Sequence, residues 1–87
     1  MSELLEHRVK RLKIRSMRRG IKEMDLILSA FADNHLKKMT DAELTLYDAM
    51  LSENDHDLYQ WVTGQVKAPE RFSAMVAWIE TTLNKID

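Results

Sequence analysis

The sequence predicts an all-α fold, a compact five-helix bundle formed by a single helical domain over residues 1–87, with about 1–4 and 85–87 expected to fray. Three observations carry this prediction. Apolar residues recur at spacings of three and four in successive segments, and the strict alternation of a half-buried strand is absent throughout. Helix breakers are scarce, with two glycines and one proline in 87 residues, and each falls between periodic segments. Leu, Arg, Lys, Met and Glu, all good helix formers, dominate those segments. Without cysteine, neither a disulfide nor a thiolate metal site can hold so short a chain together, so packing must.

The first helix is read from about Glu3 to Arg19. Leu5, Val9, Leu12 and Ser16 form a narrow stripe flanked by Ile14 and Met17, and the rest of its surface is basic, which predicts weak docking. Gly20 then interrupts a helix-forming run at a cost of about 1 kcal/mol relative to alanine. It lets the backbone turn between two helices, or clears space for another backbone beside Arg19 and Glu23, and the two roles are compatible. The second helix runs from about Lys22 to Lys38, with Met24, Ile27, Leu28, Phe31, His35 and Leu36 in helical register. Glu23 and Asp25 stand in its first turn and Lys37 and Lys38 at its end, as the helix dipole favours.

Thr40-Asp41-Ala42-Glu43 has the form of a capping box and starts a third helix that buries Leu44, Tyr47, Met50 and Leu51. Asn54 or Asp55 caps a short fourth helix carrying Leu58, Trp61 and Val62, and Gly64 suits its end. Pro69 fits the first position of the last helix, whose stripe is Phe72, Met75, Val76, Ile79, Leu83 and Ile86.

The net charge of -1 conceals a division. Eight cations against two acids give residues 1–22 a formal charge of +6, and the remainder carries -7. Either the basic segment is an interaction arm that steers an anionic partner, or the acidic helices hold it within the fold.

The candidate chemistry is sparse. His7, His35 and His56 are far apart and lack ligand spacing, so no metal is expected, and His35 reads as a core or boundary residue. No strand precedes a glycine-rich loop, so a dinucleotide site of its own is not expected. No pattern announces activated groups, and the expectation is a protein that is not an enzyme. Met24, Met50 and Met75 read as core filling, whereas Met17 beside Gly20 suits an adaptable contact surface. Tyr59 and Trp61, two apart on a short helix, cannot both face the core, so one of them is a secondary candidate for partner contact. No apolar run reaches the length of a membrane span. The N-terminus lacks both a signal-peptide core and the acid-poor character of a transit peptide, and the expectation is a bacterial cytoplasmic protein, not membrane-embedded.

The stretch Arg15-Ser16-x-x-Arg19-Gly20-x-x-Glu23-x-Asp25 resembles the Arg-Gly-x-x-Glu motif of the small succinate dehydrogenase assembly factors, the SdhE type in bacteria and assembly factor 2 in mitochondria. Phe31-Ala32-x-x-His35-Leu36, Met39-Thr40, Leu46-Tyr47-Asp48, Asp57-Leu58-Tyr59-x-Trp61 and Ala68-Pro69-Glu70 are similar to later landmarks of that family in the same order. The resemblance runs from about Arg11 to Ile79. Met17, where many relatives carry an aromatic residue, and Lys67, where a second proline is common, depart from it.

The resemblance implies a small helical protein that binds the flavoprotein subunit of succinate dehydrogenase, and in some bacteria that of fumarate reductase. It would promote covalent attachment of FAD to a histidine of that subunit. By carry-over the partner-binding residues are Arg19, Gly20 and Glu23, with Arg15, Arg18 and Asp25 beside them. No cofactor of its own is implied, FAD being that of the partner. A monomer is expected, with a weak dimer left open by the exposed basic and aromatic surface. The alternative from another class is a nucleic-acid-binding module using the basic first helix. The acidic remainder and the lack of stacking aromatics in that helix argue against it, and nucleic acid is not the expected partner. A flavin transferase in its own right is a remote third reading.

Overall fold

The computed structural model describes residues 4–86, and side chains through Asn84. Expectations for the chain ends at 1–3 and 87, and for the side chain of Ile86, therefore lie outside the described residues. Five α-helices follow one another: α1 (Leu5–Ser16), α2 (Lys22–His35), α3 (Asp41–Leu51), α4 (Asp55–Val62) and α5 (Glu70–Ile86), with a 3-10 turn at Leu36–Lys38 after α2. No strand occurs among the described residues. The radius of gyration of 12.2 Å matches the roughly 12 Å expected of a compact chain this long.

The second helix is the axle of the bundle. It packs against α1, α4 and α5 and inserts Met24, Ile27, Leu28, Phe31 and Ala32, the stripe that its spacing of three and four marks out. Leu44, Tyr47, Met50 and Leu51 of α3, Leu58, Trp61 and Val62 of α4, and Phe72, Met75, Val76 and Ile79 of α5 complete one continuous core. Burying each such side chain contributes about 1.5–3 kcal/mol, the main term holding a cysteine-free bundle together. Phe31 lies at the crossing of α2, α3 and α5, with ring centroids 5.6 Å from Tyr47 and 5.3 Å from Trp78. His35 is half-buried against Phe31 and Trp78, a boundary residue as read from the sequence.

The helix ends are where sequence and structure differ. The capping box forms, with Thr40 Oγ1 accepting from the Glu43 backbone N–H at 3.2 Å and Glu43 Oε1 accepting from the Thr40 backbone N–H at 2.8 Å. Asn54, and not Asp55, caps α4, accepting from the His56 N–H at 2.8 Å. Gly64 follows α4 at φ +81, the left-handed conformation that a helix C-terminus favours. Pro69 stands just before the first residue of α5, where its carbonyl accepts from the Phe72 N–H at 2.9 Å.

Two helices are shorter than their periodicity suggests. The α-helix of α2 stops at His35 and tightens into the 3-10 turn, where Met39 N–H reaches Leu36 O. The first helix ends at Ser16, three residues before Arg19, because Met17 is extended and Arg18 adopts φ 54. Leu5, expected on its buried stripe, is 59% exposed, while Val9, Leu12 and Ser16 are buried.

Nor does α1 dock weakly. It lies alongside α3 in the same direction, and its arginines form a ladder with residues 33 to 37 positions later. Arg8 pairs with Asp41 at 2.5 Å and donates to Thr45 Oγ1 at 2.6 Å. Arg11 pairs with Asp48 at 3.2 Å, and Arg15 pairs with the same carboxylate and donates to Ser52 Oγ at 3.1 Å. Lys13 approaches Asp33 of α2 at 3.7 Å. The charge division of the sequence is thus in good part an internal attraction between α1 and the acidic helices. Beneath the ladder, Ser16 Oγ donates to Leu12 O at 2.8 Å and lies 2.6 Å from the Tyr47 hydroxyl, so the buried polar groups of both are satisfied.

Candidate functional site

The stretch between α1 and α2, residues 17–21, carries the motif that the sequence singles out. Its shape rests on Arg18, whose φ of 54 is uncommon for a residue other than glycine. The Arg18 N–H donates to Asp25 Oδ2 at 3.1 Å, and Asp25 Oδ1 accepts from Ser29 Oγ at 3.1 Å. Asp25 thus fastens the turn to the first turn of α2, while the Arg18 side chain is exposed, without an ion pair among the described residues.

Arg19 reaches in the other direction. Its side chain is 13% exposed and its guanidinium is used on every side. Nε and Nη2 meet Asp55 Oδ1 at 2.8 and 2.6 Å, Nη1 donates to Arg15 O at 3.0 Å, and Nη2 also donates to Leu51 O at 3.0 Å. The planar fork of arginine suits such a task, joining the end of α1, the end of α3 and the start of α4 in one plane of donors. Gly20 adds a fourth tie, its N–H donating to Asp55 Oδ2 at 2.5 Å.

Gly20 lies in the turn between α1 and α2 without a left-handed φ, and its surface is exposed. A Cβ built there would stand 3.2 Å from Asp55 Oδ2, so even alanine presses on the carboxylate that holds the turn. Glu23 lies three residues on, exposed in the first turn of α2, and it has no hydrogen bond or ion pair among the described residues. Burial pushes the Tyr47 phenol up to about 12, against the opposing pull of its hydrogen bond with Ser16 and of the Arg19 and Arg15 charges.

The expected site residues therefore divide. Arg15 and Arg19 face inward onto Asp48 and Asp55, and Asp25 is tied to the Arg18 backbone. Gly20, Glu23 and the Arg18 side chain are turned to solvent. Trp61 is buried, its ring 6.1 Å from that of Phe72, and Tyr59 is half-buried one helical turn after Asp55. Sequence reasoning read Asp55 only as a capping choice and missed its grip on Arg19 and Gly20. The sequence left the cap open between Asn54 and Asp55, and only the structure shows that Asn54 takes it and leaves the Asp55 carboxylate to other donors.

No cluster of three or more His, Asp or Glu among the described residues is arranged to hold a metal ion. A shallow depression of about 310 Å3 on the outer face of α1 is lined by His7, Lys10, Arg11, Ile14 and Arg15. One of about 290 Å3 lies between Trp61, Val66, Val76 and Glu80. Each is at the lower end of the range of ligand pockets. No described helix is long and apolar enough to cross a membrane.

These features define a class: a small helical scaffold that clasps a polar turn between α1 and α2 with bonds from α2, α3 and α4. The family model described as flavinator of succinate dehydrogenase matches residues 10–83. The mitochondrial succinate dehydrogenase assembly factor 2 of Candida glabrata is 47% identical over 75 residues, covering 83% of this chain and 49% of the relative. That of Saccharomyces cerevisiae is 47% identical over 66 residues, covering 76% and 41%. That of Mycosarcoma maydis is 40% identical over 72 residues, covering 83% and 30%. The chain belongs to the flavinator of succinate dehydrogenase family, and it spans about half or less of the length of these relatives. They are mitochondrial proteins of fungi, which overturns the expectation of a bacterial cytoplasmic protein. The short N-terminal stretch on which that expectation rested precedes the matched region.

Proposed function

We propose that this chain is an assembly factor that binds the flavoprotein subunit of succinate dehydrogenase and promotes covalent attachment of FAD to a histidine of that subunit. The match to the flavinator family over residues 10–83 carries the proposal. The structure supports it by the way the turn is built: Gly20 offers an exposed backbone, Glu23 a carboxylate without a partner among the described residues, and Arg18 a neighbouring cation, all on a support clasped from α3 and α4.

Such a surface acts by positioning. Joining flavin to histidine requires both to be held in a productive geometry, and orientation alone can supply on the order of 7–11 kcal/mol of a barrier. The bond-making chemistry belongs to the flavin and the subunit that holds it. This chain's residues contribute a fixed shape and a fixed charge against which the immature subunit settles, with Arg19 and Asp55 preventing the turn from yielding.

The test is a pull-down with the tagged chain from cell extract, read by in-gel flavin fluorescence of the captured bands, with wild-type protein and with Gly20 replaced by tryptophan. The expected result is capture of one large flavoprotein subunit by wild type and its loss on substitution. Capture of nucleic acid without flavoprotein would overturn the proposal and return attention to Lys10, Arg18 and Lys22, the exposed cations of residues 4–22 without an acidic partner among the described residues.

A further inference from the structure

One carboxylate governs the turn from outside its own segment. Asp55 Oδ1 takes the Nε and Nη2 donors of Arg19, and Oδ2 takes the N–H of Gly20, so a single group grips the side chain of one motif residue and the backbone of the next. Asp55 is itself only 14% exposed. It is not occupied as the cap of its helix, since Asn54 does that through the His56 N–H. Its carboxylate is therefore left to the donors of Arg19 and Gly20. The Arg18 backbone, at φ 54, is tied to α2 by Asp25, so the turn is held between two carboxylates, one on each flank.

We propose that Asp55 is the positioning residue of the docking surface: it fixes the Arg19–Gly20 backbone so that Gly20 and Glu23 are presented together, and partner affinity depends on it through that geometry. This rests on the reading of the turn as the face that meets the flavoprotein subunit. Asp55 acts through Gly20 and Arg19, and the signature of such a role is energetic coupling to a residue that it does not touch. Glu23 is that residue, exposed and bonded to neither.

The test uses the full chain with Asp55→Ala and the conservative Asp55→Asn, which keeps one acceptor oxygen and loses the other. Amide hydrogen exchange by NMR reports the clasp directly. In Asp55→Ala, the Gly20 amide should exchange roughly tenfold faster or more, while the amides of Phe31 and Leu28 in the core of α2 stay protected. Titration against the purified flavoprotein subunit, at a temperature where circular dichroism shows every variant folded, should show affinity weakened roughly tenfold for Asp55→Ala and less for Asp55→Asn. Glu23→Ala should weaken binding in the wild-type background and do markedly less in the Asp55→Ala background.

Unchanged Gly20 exchange, wild-type affinity in a folded Asp55→Ala protein, or strict additivity with Glu23→Ala would each overturn the assignment. If the wild-type chain fails to bind the subunit, the docking reading falls, and Gly20 exchange still decides whether Asp55 holds the turn.

Discussion

Arg19 and Glu23 are the two charged ends of one short motif, and the fold treats them in opposite ways. Arg19 is 13% exposed and bonded to a carboxylate and two backbone carbonyls, whereas Glu23 is exposed and has no partner among the described residues. A motif read from sequence as one contact surface is, in structure, a support and a presented edge. The support is costly to remove because its partners are left behind in a largely buried place. The edge is cheap to remove for the fold and costly only for whatever docks there.

Stability measurements can break that comparison. The largest effect is expected for Arg19→Ala, which removes the ion pair of Asp55 and the side-chain donors to the carbonyls of Arg15 and Leu51. The cost should be about 2–3 kcal/mol in chemical denaturation, below that of a fully buried pair because both side chains retain some solvent. A loss under about 0.5 kcal/mol would mean that the clasp contributes nothing to the fold.

Tyr47→Phe comes next, at about 1 kcal/mol, since it removes the hydroxyl bonded to Ser16 without opening a cavity. It also sharpens the comparison through pH. Tyr47 titrates near 10 when unfolded and is pushed up to about 12 in the fold, chiefly by burial. The folded state thus favours the protonated phenol. Its contribution is fully present below pH 10 and is lost as the pH rises through 12. Alkaline unfolding of wild type should therefore show a loss across that window that Tyr47→Phe lacks, measured as the difference of their denaturation midpoints against pH.

Gly20→Ala should be milder still, within about 1 kcal/mol, because Gly20 does not occupy the left-handed region and the added methyl has only to displace Asp55 Oδ2 from 3.2 Å. A melting temperature close to wild type together with accelerated exchange of the residue 20 amide would locate the strain at the clasp. Arg8→Ala, at the outer end of the ladder opposite a 91% exposed Asp41, should cost least, under about 1 kcal/mol, and less still in high salt.

Much of this architecture could be read from the residues. The stripe Met24, Ile27, Leu28, Phe31 and the capping box at Thr40 and Glu43 are local patterns, decided by neighbours within a turn or two. The ends of α1 and α2 were not legible in the same way. Arg18, and not Gly20, takes the left-handed backbone, because the bond from its N–H to Asp25 and the pull of Asp55 on Arg19 and Gly20 outweigh its intrinsic preference. The partner of Arg19 lies 36 residues away, and with 14 acids in the chain nothing in composition or spacing selects Asp55. The basic segment was undecided for the same reason, its +6 charge leaving both an interaction arm and an internal attraction open until α3 is seen lying beside it with Asp41 and Asp48 at the matching heights.

The comparison bears most directly on function through Glu23→Ala, the change that removes the presented edge and leaves the support untouched. Covalent flavin on the flavoprotein subunit of succinate dehydrogenase should be measured by in-gel fluorescence with wild-type and Glu23→Ala chains, alongside their melting temperatures. Equal melting temperatures and a strong fall in covalent flavin with the variant are expected. Undiminished flavin attachment by a fully folded Glu23→Ala protein would contradict the comparison.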